Sequence, residues 1–291
     1  MATARELIEQ GIRYETGGVL ERALSSYRDA TAAAGNDQRA RAEALRHEAD
    51  VLRSRCDWDG ALAAARASGD AAREAGSDDL TAEALNAEAA VFQSRGELPQ
   101  ASALYEQMLA LTTDLRVRGI ALQNLGSIAA IEGDFPRAEE RFVESFECFQ
   151  RGGYTRGVVF SLNNYGRAAL DRGANDVAHP VLVRAETVAR DLMDIELLAL
   201  VRLNLAECLL RRADVAGAEE LASTALGYFA TTRNHWRRIE CLRLMGDIAL
   251  AQQRTDDARG FFEAGLILAQ QVQASIETRE LERRLAQLHS S

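Results

Sequence analysis

Three asparagines recur forty residues apart in the middle of this 291-residue chain. They are Asn124, Asn164 and Asn204, and Gln123 and Asn163 stand directly before the first two. A side-chain amide carries both a donor and an acceptor, so a row of amides can pair with the alternating N–H and C=O groups of an extended peptide backbone. The same amides can instead hydrogen-bond within or between the elements that carry them. The sequence alone leaves both uses open.

Charged residues follow the asparagines at the same spacing. Arg167 and Glu207 each stand three residues after an asparagine, and Asp247 comes forty residues later. A guanidinium can hold a carboxylate in a bidentate pair, whereas Glu207 and Asp247 favour a basic ligand segment. Ion pairs between neighbouring elements, each contributing under about 1 kcal/mol, are the alternative. The predicted ligand-binding residues are Asn124, Asn164, Asn204, Gln123, Asn163, Arg167, Glu207 and Asp247.

The composition excludes several kinds of chemistry. All 34 basic residues are arginine, so there is no lysine for a Schiff base or a P-loop. The net charge of −10 disfavours nucleic acid as a partner. No GxSxG, HExxH or GxGxxG motif occurs, and neither the four cysteines nor the four histidines have metal-ligand spacing. We therefore predict a protein that is not an enzyme and needs no metal or cofactor. The histidines are His47, His179, His235 and His289.

The sequence also bears on location. The N-terminal segment lacks the apolar core of a signal peptide. The longest strongly apolar stretch, residues 195–210, is interrupted by Glu196, Arg202 and Glu207, so no membrane span is expected. The cysteines are far apart and form no CxxC pair, which is typical of reduced thiols. The prediction is a cytoplasmic protein.

The elements that carry the candidate residues repeat along the chain. Alanines recur at separations of 38, 40, 37, 40, 40 and 40 residues, at Ala23, Ala61, Ala101, Ala138, Ala178, Ala218 and Ala258. Twelve residues before each stands another small residue: Gly11, Ala49, Ala89, Gly126, Gly166, Ala206 and Gly246. We call these seven alanines the anchor alanines. The residue seven positions after each anchor alanine is small in six of the seven units, and Met108 is the exception. Apolar residues spaced as Leu122, Leu125 and Ile128 indicate helices, and small residues at fixed places let consecutive helices approach closely. Each unit is therefore predicted to be a helical hairpin.

The fourth unit resembles the tetratricopeptide repeat in detail. The residues that match the family signature are Leu122, Leu125-Gly126, Gly133-Asp134, Ala138, Phe142 and Ser145. The period of about forty exceeds the thirty-four residues usual for this family. Such long repeats are similar to those of bacterial transcription-regulator sensor regions, quorum-peptide receptors and kinesin-light-chain-like adaptors. The resemblance implies an all-α, right-handed α-solenoid of about seven hairpins plus a C-terminal capping helix.

The forty-residue register continues without an obvious linker, so residues 1–291 are predicted to form a single superhelical domain. The capping helix should span 275–289, with Ile276, Leu281, Leu285 and Leu288 facing inward. The predicted repeats are 3–36, 37–76, 77–114, 115–153, 154–193, 194–233 and 234–273.

The resemblance also carries an expectation about function. In the similar families, asparagine at this position clamps peptide main chain in the concave groove, which implies a peptide-binding adaptor or sensor. The alternative is the regulatory repeat region of a larger transcription regulator or signalling ATPase, acting through self-association or a small effector. A homodimer is compatible with either. A third hypothesis is a scaffold that docks through Leu7, Ile8 and Ile12 on its first helix.

Overall fold

The protein is built from α-helices. The computed structural model describes residues 2–232 and 234–288, and in these residues it contains fifteen α-helices and no β-strand. The helices form hairpins followed by one C-terminal helix, which confirms the predicted all-α solenoid class. The chain divides into two compact units, one ending at Tyr154 and the other beginning at Thr155. The single superhelical domain stays a prediction.

The first unit contains four hairpins. Their eight helices are α1 (Ala4–Thr16), α2 (Leu20–Ala33), α3 (Gln38–Ser54), α4 (Trp58–Glu74), α5 (Asp78–Ser94), α6 (Leu98–Leu111), α7 (Leu115–Ile131) and α8 (Phe135–Arg151).

The second unit contains three hairpins and the last helix. Its helices are α9 (Thr155–Asp171), α10 (Asn175–Asp191), α11 (Ile195–Arg211), α12 (Val215–Thr231), α13 (His235–Ala251), α14 (Thr255–Gln271) and α15 (Ser275–Leu288). The final residue of the predicted capping helix, His289, lies outside the described residues.

Short polar side chains set where many helices begin. The aspartate before each of six helices accepts a hydrogen bond from the backbone N–H three residues later, which satisfies one of the free donors of the first turn. These caps are Asp37, Asp57, Asp114, Asp134, Asp194 and Asp214. The caps recur with the repeat. The capped helices of different hairpins therefore begin at equivalent positions of their repeats.

The small residues of the repeat lie where paired helices touch. All seven anchor alanines are completely buried. The glycines twelve residues earlier lie under large side chains of the second helix, as Gly126 does under the ring of Phe142. A Cβ atom at Gly166 would lie 2.5 Å from the Leu182 side chain, so a larger residue there requires Leu182 or the helices to shift.

The first helices of successive hairpins pack on one another within each unit. In the second unit α9 contacts α11 and α11 contacts α13, while α14 packs against α15. This packing brings together residues that lie within three positions of the small residue on each first helix. Each lies beside residues from the same region of the next first helix. This contact positions the candidate site.

Two predictions about the end helices are wrong in part. Leu281 is buried, but Ile276 is largely exposed, because it lies on the side of α15 that no other described helix covers. Ile8, proposed as part of a docking surface, packs instead into the core with Ala23 and Tyr27. Only Ile12 of that trio is exposed.

Replacing Gly166 by alanine should destabilise the protein. The added methyl group would overlap Leu182 and cost about 1–3 kcal/mol, which exceeds the gain of about 1 kcal/mol in helix propensity. Gly227→Ala is the matched control, because Gly227 is an exposed position inside α12 with nothing near its missing Cβ. Urea unfolding followed by circular dichroism should show Gly166→Ala less stable and Gly227→Ala slightly more stable than wild type. Equal stabilisation of both variants would contradict the close-packing account.

Candidate functional site

A polar cavity of about 570 Å³ lies along the first helices of the second unit. It is formed by α9, α11, α13 and α15, and five of the eight predicted ligand-binding residues line it: Asn163, Asn164, Arg167, Asn204 and Glu207. The rest of the lining consists of further arginines and glutamates with three apolar side chains: Arg211, Arg237, Arg243, Arg284, Glu240, Glu277, Glu280, Leu203, Ile239 and Leu281. Such a wall suits a polar, charged ligand.

The forty-residue period brings Arg167 and Glu207 together. Each directly follows the small residue of its helix, and because α9 packs on α11, Nη1 of Arg167 donates to Oε2 of Glu207 at 2.7 Å. The other guanidinium nitrogens of Arg167 donate to Asp171, one turn later on α9. Arg167 therefore joins carboxylates on two helices and keeps a fixed orientation at the cavity wall.

Glu207 is the centre of a cluster of arginines. It accepts hydrogen bonds from Arg167 and Arg211, and Arg243 lies 3.7 Å away. Burial acts to raise the pKa of this carboxyl group, but the three guanidinium groups outweigh burial and hold the pKa below its usual value. Glu207 is thus ionised and internally paired, and it is not a free carboxylate waiting for a basic ligand.

Asp247 continues the ion pairs toward the last helix. It accepts hydrogen bonds from Arg243, at 3.2 Å, and from Arg284 on α15. Burial raises the pKa of Asp247 in spite of these two arginines, and the nearby Glu280 and Glu207 add to that rise. Asp247 does not itself line the cavity, but it fixes two of the arginines that do.

The amides of the second unit bond mainly to each other. Nδ2 of Asn204 donates to Oδ1 of Asn163 across the α9–α11 contact at 2.8 Å, and both side chains are buried. Asn163 in turn donates to Oδ1 of Asn164 at 3.4 Å. Asn164 is only half-buried, and its own amide nitrogen donates no hydrogen bond within the described residues. Asn204 thus has a structural role, whereas Asn164 keeps donors for a ligand.

The first unit uses the same register in a different way. Nδ2 of Asn124 on α7 approaches Oδ1 of Asn86 on α5 at 3.4 Å, and Gln123 is half-buried beside it. At the equivalent position of α3, His47 stacks on Tyr27 with ring centroids 5.0 Å apart. Burial and the adjacent Arg46 lower the pKa of His47 to about 4, so this side chain is neutral.

Several cavity residues were not among the predicted set. Arg237 and Glu240 come from the first turns of α13, and Glu277, Glu280 and Arg284 come from α15. The spacing of the three α15 residues, at i, i+3 and i+7, is the signal that places them on one face of that helix. The register also points to two of them, because Glu277 and Glu280 stand forty residues after Arg237 and Glu240, whereas Arg284 stands forty residues after the apolar Leu244.

The described residues also bear on membrane crossing, metal binding and thiol chemistry. No helix there combines the length and apolar character that crossing a membrane requires. No cluster of three or more histidine, cysteine or acidic side chains could hold a metal ion in that part of the chain. All four cysteines are free thiols.

The helical hairpins, the buried small residues and the polar wall along the first helices define a tetratricopeptide-repeat fold. No protein-family model matches the sequence, and no curated protein matches it. A solved tetratricopeptide repeat protein from Parabacteroides merdae is similar at a TM-score of 0.62 and 16% identity, with 98% of each chain covered.

Two other solved structures are similar at higher TM-scores. The apo form of the quorum sensor NprR from B. thuringiensis has a TM-score of 0.73 and 11% identity, covering 91% of this chain and 76% of that one. A Signal Transduction ATPase with Numerous Domains (STAND) protein with a tetratricopeptide repeat sensor, from Pyrococcus horikoshii, has a TM-score of 0.72 and 13% identity. That match covers 99% of this chain and 44% of the other. At these identities the similarity establishes the fold.

Replacing Asn204 by alanine should lower stability, because it leaves the buried Oδ1 of Asn163 without its 2.8 Å donor. The expected loss is about 1–3 kcal/mol in the free energy of unfolding. A double-mutant cycle with Asn163→Ala should show coupling, while Asn36→Ala, in an exposed turn, should change stability by less than about 0.5 kcal/mol. An Asn204→Ala protein as stable as wild type would show that the pair has no structural role.

Glu207→Gln should destabilise the protein at neutral pH and much less in acid. The folded pKa lies below the unfolded value, so the stabilisation is fully present above the ordinary glutamate pKa of about 4.3 and is lost as pH falls through the folded pKa. We expect a loss of about 1–2 kcal/mol at pH 7, since the arginine partners are partly exposed.

Urea unfolding at neutral and acidic pH measures this difference. Glu263→Gln, at an exposed position on α14, is the control and should change stability little at either pH. A Glu207→Gln deficit that stays constant down to acid pH would contradict an ionised, paired Glu207.

Proposed function

We propose that this chain is a non-enzymatic adaptor or sensor module that holds an extended peptide against α9, α11, α13 and α15. The observation that carries the proposal is the cavity along these helices, where Asn164 offers free amide donors between fixed charged groups. An amide can pair with peptide N–H and C=O groups whatever the peptide sequence, while the charges select among peptides.

The polar lining supports a peptide over an apolar small molecule. Ligand pockets for drug-like molecules are lined mainly by apolar side chains, whereas this cavity has only Leu203, Ile239 and Leu281, all of them buried. Two of the similar solved structures are described as a quorum sensor and as a repeat sensor. The free thiols agree with a cytoplasmic location, which we include in the proposal.

The test is selection of short random peptides on the immobilised wild-type chain. Retained peptides are then synthesised with a fluorescent label and titrated against the wild type and Asn164→Ala. We expect Asn164→Ala to weaken binding about tenfold, the effect of losing one or two hydrogen bonds to the ligand. Its thermal unfolding should change little, because Asn164 donates no hydrogen bond within the described residues and accepts only a long one, at 3.4 Å, from Asn163.

Asn36→Ala is the control for this experiment and should bind like wild type. If no peptide is retained, or if Asn164→Ala binds the retained peptides with unchanged affinity, the proposal is wrong. Asn204→Ala is not used here, because its buried bond to Asn163 confounds binding with folding.

A second candidate is the regulatory repeat region of a larger transcription regulator or signalling ATPase, acting through self-association or a small effector. The observation that favours it is the similarity to the STAND protein, of which this chain covers 44%. Light scattering distinguishes the two: a stable homodimer that loses peptide binding as it forms would favour self-association, whereas a monomer that binds peptide supports the first proposal.

A further inference from the structure

We infer that the cavity selects a dipolar peptide segment, with an acidic group toward α9 and α11 and a basic group toward α13 and α15. This inference rests on the proposed function and adds the charge order of the ligand. It follows from the way in which charges of opposite sign are separated along the cavity wall.

At the α9–α11 end, the more exposed charged side chains of the cavity lining are positive; Asp171, which pairs with Arg167, is exposed but is not part of the lining. The side chains of Arg167 and Arg211 are 39% and 36% exposed, whereas the Glu207 side chain between them is 11% exposed. Arg243, which comes from α13, lies 3.7 Å from the same carboxylate. A ligand that reaches this end therefore meets guanidinium N–H groups, with the compensating carboxylate beneath them.

These guanidinium groups are held in place and still have donors to spare. Arg211 donates to the Leu170 backbone carbonyl as well as to Glu207, so its plane is fixed from two sides. Each guanidinium has five N–H donors, and one carboxylate accepts about four hydrogen bonds. Arg167 uses one N–H on each of its three nitrogens, toward Glu207 and Asp171, and Arg211 uses two N–H groups, toward Glu207 and the Leu170 carbonyl. N–H donors of both therefore remain for an acidic group of the ligand.

At the α13–α15 end, carboxylates outnumber arginines. Three arginines lie there, Arg237, Arg243 and Arg284, and the carboxylates are Glu240, Glu277, Glu280 and the deeper Asp247. Glu240 and Glu280 are 42% and 35% exposed. Glu277 lines the cavity and forms no ion pair with any described residue.

The exposed charged side chains of the lining are thus arginines at one end, whereas at the other end exposed glutamates outnumber the exposed Arg237. Such an arrangement attracts a ligand of matching charge order and repels one with a single sign of charge, because like charges brought together in a partly buried site are strongly unfavourable. The predicted basic segment then pairs with the glutamates of α13 and α15, and not with Glu207.

The experiment uses the same random peptide selection and reads the composition of what is retained. Wild type should enrich peptides that carry both an acidic and a basic residue over peptides with one sign of charge. A Glu240→Gln, Glu277→Gln double variant should lose enrichment of the basic residue and keep that of the acidic one. Arg211→Gln should do the reverse.

Affinities of single synthetic peptides make the result quantitative. Removing the basic residue from a retained peptide should weaken wild-type binding about tenfold and should have less than about a twofold effect on the double variant. Glu282→Gln, at an exposed position of α15 outside the cavity, is the matched control and should behave as wild type. Circular-dichroism melting confirms that each variant is folded.

The outcomes separate the two proposals. If peptides are retained regardless of their charge, or if the double variant weakens charged and uncharged peptides equally, the dipolar inference is overturned while peptide binding stands. If no peptide is retained by folded wild-type protein, the proposed function and this inference both fail.

Discussion

The close approach of paired helices is the constraint on which the rest of the structure depends. It is set by small residues that recur about every forty positions: the anchor alanines are completely buried, and glycines such as Gly166 lie directly under side chains such as Leu182. A side chain of ordinary size at either place would separate the helices. Because the same contact is repeated, each hairpin offers its neighbour nearly the same surface.

The candidate site takes its geometry from this contact. Arg167, Glu207 and Asp247 each come directly after the small residue of their helix, so their backbone positions are fixed by the tightest part of the packing. The 2.7 Å bond from Arg167 to Glu207 is a consequence, since it joins equivalent positions of two helices that touch. Precise placement of charged groups in this cavity therefore requires no special loop.

The register explains what the sequence could predict. Periodic small residues reveal the hairpins, and periodic polar residues beside them reveal the face on which Asn164, Arg167 and Glu207 lie. The sequence could not show that Asn204 is bonded to Asn163, because adjacent positions on two helices can face either solvent or each other until the distance between the helices is known.

The last helix, α15, also has features that the sequence pattern could not predict. Periodicity gives α15 an apolar stripe, but it does not say how much of that stripe a single neighbour covers, and Ile276 is left exposed for this reason. Arg284 reaches Asp247 although the residue forty positions before Arg284 is the apolar Leu244. Long side chains reach partners outside their own repeat position, so the pairing of Arg284 with Asp247 becomes visible only in three dimensions.

The exclusive use of arginine has a structural consequence within this cavity. Arg167 donates from three nitrogens to carboxylates on two helices, and Arg211 donates to a carboxylate and a backbone carbonyl at once. A lysine ammonium is a point charge on a flexible stem and would collapse onto one acid, leaving no fixed direction for the others. Planar guanidinium groups instead bond to two acceptors at once and still have unused N–H donors. The arginine side chains of the cavity wall are therefore held in fixed orientations without a ligand. The charged side chains can vary without disturbing the small-residue contacts that hold the helices together.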